Sequence, residues 1–273
     1  MQNRETPFLL VMVLPAVILG TAFFLLPLAR LALVGGSGPL GFGAYLAVLT
    51  TPRYFEALVS TILLSIAVTL VTLAISGVSG VFLQRNQFPG RDILVSFLTF
   101  PLAFPGVVVG FMVIMLSGRI GLIGDVTALL TGQRLVFAYS MAGLFMGYIY
   151  FSIPRVILTI MAAAEKLDPE IEEAAQSLGA GPTRVVRDVI LPALRPAIIA
   201  SGSMCFATSM GAFGTAFTLA TDIDVLPIVI YTEFTLLANI AMAAALSIVL
   251  GVITWAALAV SRAFAGATAA AAG

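Results

Sequence analysis

The sequence predicts an all-α polytopic membrane protein with six transmembrane helices, and three observations carry that prediction. Hydrophobic residues fill 60% of the 273 positions and charged residues only 10%, for a mean hydropathy of +1.12; a soluble domain carries roughly 25% charge. Apolar runs of about 20 residues, the length a helix needs to cross the bilayer core, recur along the chain. Lysine and arginine fall unevenly on the loops between those runs, as they do when loops alternate between two sides of a membrane. The formal net charge is zero, which gives no sign of a nucleic-acid partner; the partner that this composition requires is the lipid bilayer. One cysteine, Cys205, excludes an internal disulfide and sits in an apolar run as a small packing residue. The absence of histidine excludes zinc-protease motifs, Ser-His dyads and histidine proton relays. No catalytic constellation and no metal site are expected.

The six spans fall at roughly Phe8–Val34, Ala57–Leu83, Ile93–Leu116, Val136–Ile160, Ile198–Ala220 and Leu236–Val260. The first is too long for a signal-peptide core and lacks a small-residue cleavage site, so it is expected to be a retained span. Prolines interrupt several of them (Pro15, Pro27, Pro101, Pro105, Pro154). Such breaks are tolerated where neighbouring helices or a cavity satisfy the freed carbonyls, and FPLAFPG at 100–106 is expected to bend the third span. Small residues cluster in the fifth: Ser201, Gly202, Ser203, Ser209, Gly211, Gly214 and Thr215. They suit close helix packing; alternatively Ser209, Gly211 and Gly214 line a substrate pathway.

Orientation follows from the basic residues. With the N-terminus inside, the inner side receives Arg4, Arg85, Arg91, Arg155, Lys166, Arg184, Arg187, Arg195 and Arg262, and the outer side keeps Arg30, Arg53, Arg119 and Arg134. Nine against four is the bias expected for both termini in the cytoplasm. The outer loops then hold Asp125, Asp222, Asp224 and Glu233.

The most polar stretch, EEAAQSLGAGPTRVVRDVILP at 172–192, then faces the cytoplasm. Asp168 is a suitable N-cap, Pro169 fits the first helical position, and Glu170 and Glu172 favour the positive helix start. Ile171, Ala174, Ala175 and Leu178 form one apolar stripe. Gly179 follows directly, where positive φ is expected just past a helix end. Pro182 can open a second helix with Val185, Val186, Val189 and Ile190 on its apolar side and Arg184 paired to Asp188 at i, i+4; Pro192 is expected to stop or kink it. Membrane-surface helices are usually rich in Lys and Arg, whereas this one opens with acids, so docking onto a protein fits better.

Glu173-Ala174-Ala175, three residues, Gly179, nine residues, then Val189-Ile190-Leu191-Pro192 resembles the EAA loop of binding-protein-dependent ABC importer permeases, with Val189 where members usually have Ile. The resemblance covers roughly residues 57 to 260. It implies a type I ABC importer permease fold: 1–56 as an N-terminal helix and first periplasmic loop, 57–260 as the core with a cytoplasmic coupling loop at 161–197, and 261–273 as a cytoplasmic tail, in a bacterial inner membrane. It further implies that Glu173, Ala174, Ala175, Gly179, Arg184, Leu191 and Pro192 couple to separate ATP-binding ABC subunits. The chain has no GxxxxGK[ST] phosphate loop, so it is expected to be no enzyme and to hold no cofactor; ATP and Mg would be bound by the partner ATPase. A second permease subunit, expected to be a related but different chain, and a periplasmic substrate-binding protein complete the implied set of partners.

Within the family, FATSMGAFGTAFTLATDIDVLPIVIYTEF at 206–234 looks most like permeases of the spermidine/putrescine group, which extends to iron(III), thiamine and aminoethylphosphonate. A polyamine would suit Asp222, Asp224 and Glu233 near the outer mouth; otherwise these acids are solvated loop residues or contacts for the binding protein. Two other classes fit less well. A secondary transporter would show internal repeats and ionisable residues at mid-membrane, and an intramembrane serine protease would need a base beside its serine.

Overall fold

The structure, a computed structural model, describes residues 5–219 and 223–271. Among them there is no strand, and six stretches are long and apolar enough to cross a membrane: Met12–Gly35, Pro52–Arg85, Gly106–Thr131, Met141–Ala164, Pro182–Met210 and Ile240–Phe264. The chain divides into two units, one running up to Glu56 and resuming over Val229–Gly251, the other formed by Ala57–Ile228 with the chain from Val252 on.

In the first unit, α1 (Glu5–Gly20) and α2 (Leu26–Gly35) are joined by a π turn at Thr21–Leu25 that keeps them one helical run. Pro15 and Pro27 sit inside that run without ending it. After α3 (Gly43–Thr50) and the first turn of α4 (Pro52–Arg85), the unit resumes with a π turn at Thr232–Leu236 and α14 (Ile240–Ala271). Gly35 holds α2 and α14 together: a Cβ there would lie 3.1 Å from the Ala245 backbone nitrogen. The Tyr45 hydroxyl donates to Ala32 O at 2.6 Å and ties α3 to α2.

The second unit contains most of α4, then α5 (Arg91–Thr99), α6 (Gly106–Ser117), α7 (Leu122–Thr131), α8 (Met141–Ala164), α9 (Pro169–Ser177), α10 (Pro182–Val185), α11 (Leu191–Met210), α12 (Gly214–Leu219) and the first half of α13 (Leu226–Tyr231). Its core is apolar, with Leu64 and Val68 of α4 packed with Leu144, Tyr148 and Ile160 of α8 and with Leu219. Gly80 lets α4 approach α8, since a Cβ would meet Ile160 at 3.0 Å.

Three expectations about the spans change. FPLAFPG does more than bend the third span. The helix gives way to a tight 3₁₀ turn at Phe100–Ala103, Phe104 is extended (φ −101°, ψ 137°), and α6 starts afresh at Gly106. The ring of Pro105 disfavours the helical conformation at the residue before it. The fifth span begins at Pro182 instead of Ile198, because Pro192 does not stop the helix that precedes it. A π turn at Val186–Ile190, in which Leu191 N–H reaches Val186 O, lets the chain pass the proline and continue. That span then ends at Met210, ten residues before Ala220, and Gly211–Phe213 separates it from α12. Arg155, counted above on the inner side, lies inside α8, as it does inside the expected fourth span.

Candidate functional site

The 168–192 stretch folds into two helices set at a fixed elbow. The Asp168 carboxylate accepts from Glu170 N–H at 3.0 Å and caps α9, which opens with Pro169. Gly179 takes φ +84°. Its N–H donates to Gln176 O at 2.9 Å and Ala180 N–H to Ala175 O at 3.0 Å, closing the carbonyl end of α9 in a Schellman turn. Pro182 then opens α10. Glu172 is ion-paired to Arg85 at the end of α4, so the elbow is fastened to a membrane-crossing helix. Of the apolar stripe on α9, Ile171 is 56% exposed and Leu178 is 90% exposed. On the second helix Val185 is buried and Val186 exposed. The expected Arg184–Asp188 pair does not form. Asp188 instead approaches Arg187 at 4.0 Å, because the π turn adds a residue to that turn of helix and moves position 188 off the face of 184.

A second feature lies where two broken helices meet. α6, starting after Pro105, packs against α12, starting after the Gly211–Phe213 break. Contact is close because glycines face threonines: Thr215 Oγ1 donates to Gly106 O at 2.9 Å and Thr218 Oγ1 to Val107 O at 3.3 Å. The Tyr148 hydroxyl of α8 donates to Ala212 O at 2.5 Å and satisfies a carbonyl in the break. Beside these breaks is a cavity of about 360 Å³ whose lining includes Ser152, Arg155, Thr208, Ser209 and Gly211. A smaller cavity of about 40 Å³ shares Ser152, Arg155 and Thr208 and adds Thr159 and Ser201. Tyr148, Ser152, Arg155 and Thr159 follow one another at i, i+4, i+7 and i+11, a polar stripe along an otherwise apolar helix. The Arg155 guanidinium sits 4.8 Å from the centroid of Phe151.

Glu233 is the third feature. It stands on the π turn Thr232–Leu236 and is 1% exposed. Tyr54 OH donates to Oε1 at 3.0 Å, Arg53 Nη1 to Oε1 at 3.4 Å, and Asn239 Nδ2 to Oε2 at 3.1 Å.

Residues 76–269 match the family described as "Binding-protein-dependent transport system inner membrane component". The chain belongs to that family. As an inner membrane component it is a transport subunit and not an enzyme. Similar proteins include PhnU of Salmonella typhimurium, named as the permease of a 2-aminoethylphosphonate transport system, 31% identical over 82% of this chain and 81% of that protein. The molybdenum transport system permease protein ModB of Escherichia coli is 35% identical over 64% of this chain and 76% of its own. The sulfate transport system permease protein CysT of Salmonella typhimurium is 33% identical over 73% of this chain and 70% of its own. In fold, this inner membrane component is similar to a chain of a bacterial ABC transporter involved in import of the acidic polysaccharide alginate, with TM-score 0.77, 17% identity and 96% of each chain covered. It is also similar to a chain of the MetNI methionine ABC transporter, with TM-score 0.57, 15% identity, and 80% of this chain and 99% of that chain covered. The fold is that of an ABC importer permease.

Within this inner membrane component, Glu173, Ala174, Ala175, Gly179 and Arg184 fall together on α9, the turn and α10, and Leu191 and Pro192 close the elbow at the start of α11. Ser209, Gly211 and Gly214 line the larger cavity. Asp222 lies outside the described residues, Asp224 is exposed, and Glu233 is not a loop residue but a buried one. It was misplaced because its partners Arg53 and Tyr54 are 180 and 179 positions away in the sequence. Sequence reasoning also missed Arg155, Ser152 and Thr159, although the polar spacing along α8 was there to be read.

Proposed function

We propose that this chain is one permease subunit of an ATP-driven importer, that its 168–192 elbow is the coupling element docked into a separate ATPase subunit, and that its cargo is a small oxyanion. The exposed face of the elbow carries the coupling reading. A capped helix, a Schellman turn and a second helix form a projection, and Ile171 and Leu178 on it are apolar side chains that the described residues leave exposed. Covering such residues on a charged, non-basic helix takes a protein surface. Glu173, exposed on the same helix, supplies a polar contact there, and the Glu172–Arg85 pair passes motion of the elbow to α4. The excess of lysine and arginine on the elbow side supports a cytoplasmic elbow, with both termini on that side. ATP and Mg belong to the ATPase, and a second, related permease chain supplies the other half of the pathway. A periplasmic binding protein delivers cargo from the outside, as in the structure of the alginate transporter in complex with its periplasmic protein, which shares this fold at TM-score 0.78.

The cargo reading departs from a polyamine. Glu233, offered above as an acid for a cationic cargo, is already neutralised by its own protein partners. Relatives with about a third of their residues in common are named for phosphonate, molybdenum and sulfate transport, and these solutes travel in water as oxyanions. Uptake by proteoliposomes holding the full set of subunits tests both parts. Sulfate, molybdate or 2-aminoethylphosphonate should accumulate on ATP addition, and spermidine should not. Gly179→Val forces a β-branched residue into positive φ, a strain of about 1–3 kcal/mol, and Glu173→Lys inverts the charge offered to the ATPase. Both should insert normally yet lose uptake and the stimulation of ATP hydrolysis by loaded binding protein. Wild-type transport by both variants would remove the coupling role, and spermidine accumulation would restore the polyamine.

A further inference from the structure

We propose that the cavity between α8 and the end of α11 is a binding station for the oxyanion group of the cargo, with Arg155 as its cationic anchor and Ser152 and Ser209 as neutral donors. The inference rests on the importer reading above and goes beyond it by giving the permease a site of its own, apart from the binding protein.

Arg155 is far from either end of its helix. Fourteen residues separate it from Met141 and nine from Ala164, about 21 Å and 13 Å of helix. Snorkelling to headgroups suits basic residues near helix ends, so this one needs another solution. An intramembrane cation persists where it faces a partner or a polar cavity. No described carboxylate lies within 4.0 Å of the Arg155 guanidinium, and it lines both cavities. Its contact with Phe151 uses none of its five N–H donors, which are spaced to grip an oxyanion through two oxygens at once.

Ser209 is the second, independent observation. Its hydroxyl is buried, the residue is 3% exposed, and Oγ has no hydrogen-bond partner among the described residues. A buried hydroxyl left unsatisfied is destabilising unless something arrives to accept from it, and this one lines the same cavity as Arg155. Ser152 lines both cavities beside them. Neither lining contains an acidic residue, so a polyamine would meet a cation with nothing to offset it. About 360 Å³ is at the small end of the range for ligand sites, which suits a compact tetrahedral anion.

The test uses the purified permease–ATPase complex without its binding protein, titrated with sulfate, molybdate, 2-aminoethylphosphonate and, as the cationic control, spermidine, with melting temperature as the readout. At least one oxyanion should raise the melting temperature saturably, and spermidine should not. Arg155→Gln should weaken that oxyanion roughly 10- to 100-fold, Arg155→Lys should weaken it less, because an ammonium keeps the charge but loses the fork, and Ser209→Ala should weaken it several-fold. Absence of any oxyanion-dependent shift in the wild type, or an unchanged affinity in Arg155→Gln, would overturn the station. If Arg155→Gln does not assemble, the graded losses in Arg155→Lys and Ser209→Ala decide the matter. Uptake driven by the binding protein separates the two readings. Oxyanion accumulation with no binding by the permease removes the station alone, whereas spermidine accumulation removes the cargo class beneath it.

Discussion

A carboxylate taken out of water needs partners, and Glu233 has three side-chain donors around it: Arg53, Tyr54 and Asn239. Its own carbonyl accepts from Asn239 N–H at 2.8 Å, and Asn239 Oδ1 accepts from Met242 N–H at 3.3 Å, so the cluster also caps the start of α14. Removing the carboxylate leaves Tyr54 and Asn239 without an acceptor, but Arg53 is 46% exposed at its side chain and can turn to water. Glu233→Ala should therefore cost about 1–3 kcal/mol, below the full cost of breaking a buried pair. Asp224→Ala, at an exposed position, should stay within about 0.5 kcal/mol. Thermal melts of the two detergent-purified variants check this, and equal melting temperatures would return Glu233 to the surface acids. At this scale legibility depended on how far the deciding partner lay along the chain. Asp168, Pro169 and Gly179 act on neighbours two to five positions away and could be placed from sequence. Glu233 could not, because its apolar surroundings hid partners at the far end of the chain. Asp188 failed for a nearer reason, since a π turn leaves no mark in residue type.

Helices report their existence through composition and their ends through local chemistry, and the second signal is weaker. Apolar runs gave the number of crossings, but they set the third at Ile93–Leu116 where the structure has Gly106–Thr131; FPLAFPG marked the break before α6. Pro192 misled, because a proline read alone does not say whether the turn before it is wide enough to let the helix continue. The small residues of the fifth span were legible as packing residues, though their partner helix was not. Gly202 packs on Leu73, whereas Gly214, Thr215 and Thr218 form a seam with Gly106, Val107 and Gly110 across two helix breaks. That seam holds the wall of the cavity, and it predicts a contrast between two glycines. A Cβ on Gly110 would lie 2.6 Å from Thr218 Cβ, while one on Gly77 meets nothing within 4 Å. Gly110→Ala should therefore separate α6 from α12 at a cost of about 1–3 kcal/mol. Gly77→Ala, in the middle of α4, should be neutral or stabilising by up to about 1 kcal/mol through helix propensity. Thermal melts of both variants read the difference. A harmless Gly110→Ala would mean that the seam is loose and the cavity wall is held by something else.

Across the whole molecule, the two proposed functional features stand at opposite ends of one argument about sidedness. The elbow works only if it reaches a cytoplasmic ATPase, and the cavity works only if cargo can enter from the other side. Loop charge gives the expected orientation, because lysine and arginine are held back on the cytoplasmic side. The segment between α11 and α14 was not legible, since α12 and α13, at six residues each, span only about 9 Å apiece and look in sequence like the tail of a crossing. Sidedness is open to direct test because a single crossing, α8, separates the loop after α7 from the elbow. In a Cys205→Ala background, Gln133→Cys and Ser177→Cys each place one thiol at an exposed position. An impermeant maleimide should label Gln133→Cys in intact cells and Ser177→Cys only after permeabilisation. The reverse pattern would invert the orientation and take the elbow away from any cytoplasmic ATPase. Labelling of both from the same side would mean that α8 does not cross the membrane, and Arg155 would then need no cavity to explain it.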